Sequence, residues 1–146
     1  FLWGSKRTGP DLHRIGGKYN DNWHFNHMWD PQSTSSGSVM PGYKWMFANE
    51  PMNHDHIEKK MEVMVTLGVP YTKEEIANAR KHMDAQSAQI EKNLSNDPDF
   101  VKSYENSKKA AAARCEEFTP MKDREIVALI AYLQRLGTDI KVKKTE

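Results

Sequence analysis

Met40 precedes Pro41 and follows the polar run from Gln32 to Ser38. Its thioether, a soft ligand for a transition metal, therefore sits in a segment too polar and too proline-restricted to be helical. Upstream, Gly9-Pro10-Asp11-Leu12 is a second irregular segment. There the Pro10 carbonyl can accept the ring N–H of a metal-bound histidine, fixing its tautomer, while Leu12 keeps water away. His24 and His27 stand three apart, and His54 and His56 flank Asp55. A metal could use both spacings, although surface histidines near helix ends produce the same pattern. Cys115 is followed by Glu116 and Glu117; their charge opposes a thiolate, which points to an inert, partly buried thiol. There is no Ser/His/Asp order, no phosphate loop and no paired-carboxylate arrangement distinct from helix surface charge.

The elements that must position these residues are helical. Closely spaced glycines and Pro10 make the stretch from Phe1 to Gly17 a loop or arm whose aromatic start, Phe1-Leu2-Trp3, has to pack somewhere. Asn20 or Asp21 can cap a short helix running to Trp29, stopped by Asp30-Pro31, and Gln32 to Ser38 reads as a surface loop. Asp55 with Glu58 has capping-box spacing before the stripe Ile57, Met61, Met64 and Val65, with Gly68 as C-terminal cap. Thr72 with Glu75 repeats the box and opens a helix to Leu94, bearing Ile76, Ala79, Met83, Ile90 and Leu94. Asp97-Pro98 restarts the chain as a helix to Glu117, with Phe100, Tyr104, Ala111, Cys115 and Phe118 facing inward. These two charged, Ala-rich helices read as an antiparallel hairpin that projects from the core. Thr119-Pro120 opens the last helix, whose Ile126, Leu129, Ile130, Leu133 and Leu136 form the strongest apolar stripe before Gly137; Lys141 to Glu146 is a charged tail.

The chain has 146 residues, enough for one domain with a modest core. Its net charge of +1 gives no broad reason for a nucleic-acid partner. A single cysteine excludes an internal disulfide and the usual cysteine clusters of zinc or iron–sulfur sites. No apolar stretch is long enough to cross a bilayer, and the mean hydropathy of −0.81 agrees. The fold class is all-α, with no internal repeat and no alternation long enough for a strand.

Taken in order, several segments resemble a known family: Trp3 to Leu12, Gly16-Gly17-Lys18-Tyr19, Asp21-Asn22-Trp23-His24, Met40-Pro41-Gly42-Tyr43, Leu67 to Thr72, and Leu129 to Gly137. The chain is similar over residues 1–76 and 119–138 to the monohaem cytochrome c subunit (subunit II) of cbb(3)-type cytochrome c oxidases. The resemblance implies a cytochrome-c-like domain carrying haem c, with Met40 as the axial iron ligand. Pro10 and Leu12 then flank the proximal histidine, and Arg7 meets a haem propionate. It implies that a transmembrane anchor and the Cys-x-x-Cys-His haem-attachment motif precede Phe1, and that the globular part faces the periplasm of the bacterial inner membrane. Its partners would be a donor cytochrome and the catalytic and other cytochrome subunits of the oxidase. The chain itself would hold no catalytic centre.

Residues 73–118 read as an inserted helical hairpin, of which about 77–118 fall outside the resemblance. Without the haem-attachment motif these residues cannot hold haem covalently, so the fragment by itself is expected to lack it. An alternative function is a haem-free helical protein-binding module on a cytochrome scaffold, docking through that hairpin. The domain also lacks the N-terminal haem-binding helix expected to pack against Ile126 to Leu136. Part of the last helix's apolar face is then exposed, to be buried by self-association or rearrangement. The aromatic residues Trp3, Trp23, Trp29, Tyr43, Trp45 and Phe47 serve either as core or as the wall of the haem site.

Overall fold

The computed structural model describes residues 7, 9–49 and 51–138, so the aromatic start and the charged tail lie outside the described residues. The all-α expectation holds: among the described residues the only β pairing is an isolated bridge between Pro51 and Arg124. Seven α-helices follow one another: α1 (Asp21–Trp29), α2 (Pro31–Thr34), α3 (Ile57–Thr66), α4 (Lys73–Ala77), α5 (Ala79–Leu94), α6 (Pro98–Ala113) and α7 (Glu125–Arg135). Short 3-10 turns lie at Leu12–Arg14, Lys44–Phe47 and Met121–Asp123.

The core forms where α7 meets α5, and Ile90, Leu94, Met121, Ile126, Val127 and Ile130 close it off from water. Full burial of each such side chain stabilises the fold by roughly 1.5–3 kcal/mol. Val127, rather than Leu129, completes the buried stripe of α7; Leu129 is half-exposed beside a groove. Phe100 and Tyr104 of α6 extend the core laterally, Phe100 meeting Phe25 edge-on at 5.2 Å and Phe25 meeting Phe47 at 4.8 Å.

Residues 73–118 therefore do not simply project. Ile90 and Leu94 of α5 lie inside the core, and α5 packs on α1 and α7 instead of pairing along its length with α6. The reason is that the few large apolar residues of α5 and α6 gain more from the stripe of α7 than from each other.

Local hydrogen bonding accounts for the other boundaries. Asn20 caps α1 by accepting from the Trp23 N–H at 2.7 Å. Asp30 ends α1 and, with Pro31 at the first helical position, begins the one-turn helix α2, where a loop is expected. The Asp55–Glu58 box is not formed: the Asp55 N–H donates to Asn53 Oδ1 at 2.8 Å, and His56, in a left-handed conformation at φ 60°, occupies the cap position. Short polar side chains here compete with the helix for the backbone. The Thr72–Glu75 box is present, but Asn78 interrupts the helix it opens by donating its side-chain amide to the Glu74 carbonyl at 3.0 Å. Asp97 and Pro98 start α6 as their types dictate, yet α6 ends at Ala113. Cys115, at φ 56°, turns the chain away and is exposed rather than partly buried. The last helix begins at Glu125, after the 3-10 turn that Pro120 opens and an extended Arg124.

The 9–19 loop is sewn to the end of α7. Gly16 N–H donates to Leu136 O at 2.9 Å and Gly17 N–H to Gln134 Oε1 at 3.0 Å. Gln134 returns its amide to Tyr19 O and to Asp21 Oδ1, and Asn93 of α5 reaches the other Asp21 oxygen at 2.7 Å. Gly137 permits this approach: at φ 78°, a Cβ there would lie 1.8 Å from His13 O.

Candidate functional site

Met40 lies half-buried in the irregular segment between α2 and the Lys44–Phe47 turn. Its N–H donates to Ser38 Oγ at 3.3 Å. Three residues on, Tyr43 N–H donates to Met28 O at 2.8 Å, pinning the segment to the end of α1. Gly42 fits beneath the same helix end, where a Cβ would come within 2.7 Å of Trp29 O. The thioether is thus presented from a tethered loop. The neighbouring segments expose apolar side chains: Val39 is 84% exposed, Trp45 63% and Trp29 47%, with the Lys44 ammonium 5.4 Å above the Trp29 ring.

Pro10 and Leu12 occupy the other loop, both exposed, Leu12 at 55%. Asp11 caps the Leu12–Arg14 turn by accepting from His13 N–H and pairs with the Arg7 guanidinium at 3.3 Å. The structure therefore brings Arg7, Pro10 and Leu12 into one turn. Among the described residues, no hydrogen bond, ion pair or ring contact joins that turn to Met40.

The histidines separate. His24 is buried, with Tyr19 and Trp23 edge-on around it, and its Nε2 has no partner. Burial pushes its pKa below the ordinary value, against the opposing charge of Asp21. His27 stacks on Trp23 at 4.5 Å and places Nδ1 2.5 Å from Thr34 Oγ1; burial lowers its pKa as well. His54 borders a groove and His56 is exposed at the head of α3. Among the described residues, no group of three or more His, Cys, Asp or Glu side chains could hold a metal ion.

Among the described residues the aromatic side chains form three sets, the first being Tyr19 stacked on Trp23 at 3.8 Å beside His24 and His27. Trp29, Phe47, Phe25, Phe100, Tyr104 and Phe118 run edge-on and stacked through the protein, while Tyr43 and Trp45 meet at its surface. Along α7, Leu129 and Tyr132 line a groove of about 720 Å³ with Met46, Met52, Ile57 and Met83. Part of that helix's apolar face is exposed, as expected; α5 and α1 cover the rest.

Two residues of this region had no signal in the sequence. Arg124 is 6% exposed, and its Nε, Nη1 and Nη2 donate to Thr119 O, Phe47 O and Asn49 Oδ1 at 3.1, 3.1 and 3.3 Å. Asn49 accepts from Thr119 N–H at 2.7 Å and donates to Glu117 O. A single charged residue before a helix looks like surface, and only the tertiary arrangement buries it.

The donor set fits one side of a c-type haem. A soft thioether on a tethered loop, beside an outward-facing apolar surface, suits an iron porphyrin. The two thioether bonds that anchor such a haem cannot both come from a sequence with one cysteine, and Cys115 is exposed at the far end of α6. Among the described residues no helix is long and apolar enough to cross a membrane.

A family model described as cytochrome c oxidase, mono-heme subunit/FixO, matches residues 1–140. No curated protein matches the chain. The match spans both the Gly-Pro-Asp-Leu turn and the Met40 segment, and it includes residues 77–118, which the resemblance seen in the sequence left uncovered. The chain belongs to this family, the mono-haem, non-catalytic electron-transfer subunit of a membrane-associated cytochrome c oxidase.

Proposed function

We propose that this chain forms the Met40 side of a c-type haem site at the periplasmic face of the bacterial inner membrane. There it passes single electrons from a donor cytochrome or sister haem subunit to the catalytic subunit. The observation that carries the reading is the half-buried Met40, on a loop tethered through Ser38 and Tyr43 whose neighbouring segments expose Val39, Trp29 and Trp45. Bound haem supplies a one-electron carrier.

The chain's residues would hold it as follows. Met40 would offer its sulfur to the haem iron, and a thioether in that role would raise the reduction potential relative to a second histidine, which suits delivery to an oxidase. The Pro10 carbonyl accepts the proximal histidine's N–H, and Leu12 covers the ring from water. Arg7 exchanges Asp11 for a propionate; its present pair is half-exposed and worth little, so the exchange costs little. The Cys-x-x-Cys-His motif has to be supplied from outside these 146 residues.

The test is spectroscopic. In the haem-loaded full-length subunit, Met40→Ala should abolish the methionine-to-iron charge-transfer band, and persistence of the band excludes Met40 as ligand. A full-length chain that takes up no haem during cytochrome maturation would instead support the haem-free binding module.

A further inference from the structure

We propose that Arg124 is the residue that positions the Met40 loop. The inference rests on the reading of Met40 as ligand and concerns how its sulfur is kept in place. The loop is held on its upstream side by the Met40–Ser38 hydrogen bond, and just after Met40 by the Tyr43–Met28 hydrogen bond. Downstream, the chain runs through the Lys44–Phe47 turn, and its next polar anchor is the guanidinium of Arg124.

Arg124 serves two segments at once. Nη1 donates to Phe47 O and Nη2 to Asn49 Oδ1, both on the segment leaving the Met40 loop, while Nε donates to Thr119 O on the segment entering α7. Asn49 closes the figure by accepting from Thr119 N–H, while its carbonyl accepts from Thr119 Oγ1 at 2.9 Å. The Phe118 ring lies 5.0 Å from the guanidinium carbon. Backbone pairing continues beyond, where Met52 N–H donates to Asp123 O at 2.6 Å and Pro51 bridges to Arg124 itself.

The choice of residue and its place explain the arrangement. A planar guanidinium presents its donors in a fixed fork, so it can hold several oxygens in one geometry, whereas an ammonium on a flexible stem cannot. Arg124 also adjoins the packed start of α7, where Ile126 and Val127 are completely buried. Burying a guanidinium is costly, and a pair of apolar residues would hold two segments together at least as well. What apolar contact would not supply is direction: it would let the Phe47–Asn49 segment slide, and with it the turn that leads back through Tyr43 to Met40.

The experiment uses the haem-loaded full-length subunit and imidazole, which reaches ferric iron only by displacing the methionine. Arg124→Met should retain the charge-transfer band but raise imidazole affinity roughly tenfold, the ratio expected when a charge-assisted hydrogen bond restraining the loop is lost. Arg124→Lys, which keeps the charge without the fork, should also bind imidazole more tightly than wild type, and it carries the test if Arg124→Met does not fold. Leu94→Ala, a core variant, should lower the melting temperature and leave imidazole affinity unchanged. Wild-type affinity in the Arg124 variants, or an equal rise in Leu94→Ala at matched loss of melting temperature, overturns the proposal. Absence of the band from the wild type would instead overturn the assignment of Met40, so the two failures are distinguishable.

Discussion

Two apolar regions of this molecule meet opposite fates. On α7, Ile126, Val127 and Ile130 are wholly buried against α5 and its neighbours. In the segments next to Met40, Val39, Trp29 and Trp45 are exposed, and α3 and its following turn likewise expose Val63 and Leu67. The residue types are similar, so hydrophobicity does not separate them. What separates them is whether the chain supplies the covering surface. The α7 stripe has a partner within the described residues and pays the entropy of folding; Val39, Trp29 and Trp45 keep surface that no described residue covers.

The largest effect should come from removing apolar volume where the covering is complete. Leu94→Ala is expected to destabilise the chain by about 2–5 kcal/mol in urea denaturation, the usual range for a buried leucine. A loss below about 1 kcal/mol would show that α5 only leans on α7 and would erase the contrast between the two regions.

A second test sharpens the contrast through charge. His24 has a folded-state pKa lowered from 6.5 chiefly by burial, so the unfolded chain binds its proton more readily. Its contribution favours the fold above 6.5 and is lost as the pH falls through that value. His27, lowered for the same reason, acts in the same direction. The urea midpoint of the wild type should fall on acidification, and His24→Gln should flatten that fall while leaving the part due to His27. An identical acid limb in the variant would remove His24 from the account.

The smallest effect is expected at the exposed surface. Val39→Ser should change stability by no more than about 0.5 kcal/mol, because the side chain gives up almost no buried area. A loss comparable to that of Leu94→Ala would mean that the Met40 surface is part of the folding core.

Much of the secondary structure could be read locally because it is decided locally. Asn20, the Thr72–Glu75 box, Asp97-Pro98 and the left-handed Gly137 act through hydrogen bonds and backbone sterics within a few residues. The failures share a cause: at Asn53 and Asn78 a side-chain amide competed for the same backbone groups, and the rival pairings differ by little. In the candidate site, the Met40 and Gly-Pro-Asp-Leu segments were visible because they depend on residue type and order. Arg124 and Asn49 were not, because their partners lie some 75 residues away in sequence.

By itself, then, the sequence determined that the protein is helical, where most helices begin, that its last helix carries the principal apolar stripe, and which thioether stands in a proline-stiffened loop. Those properties follow from side-chain periodicity, capping and the restricted dihedrals of proline and glycine. Only the tertiary structure decided that α5 covers α7, that Val127 replaces Leu129 in the core, that His24 is buried beside an aromatic stack, and that Arg124 joins the Met40 segment to the start of α7. Each of these is a choice among partners distant in the chain, settled by which packing buries the most apolar surface while leaving the fewest polar groups unpaired.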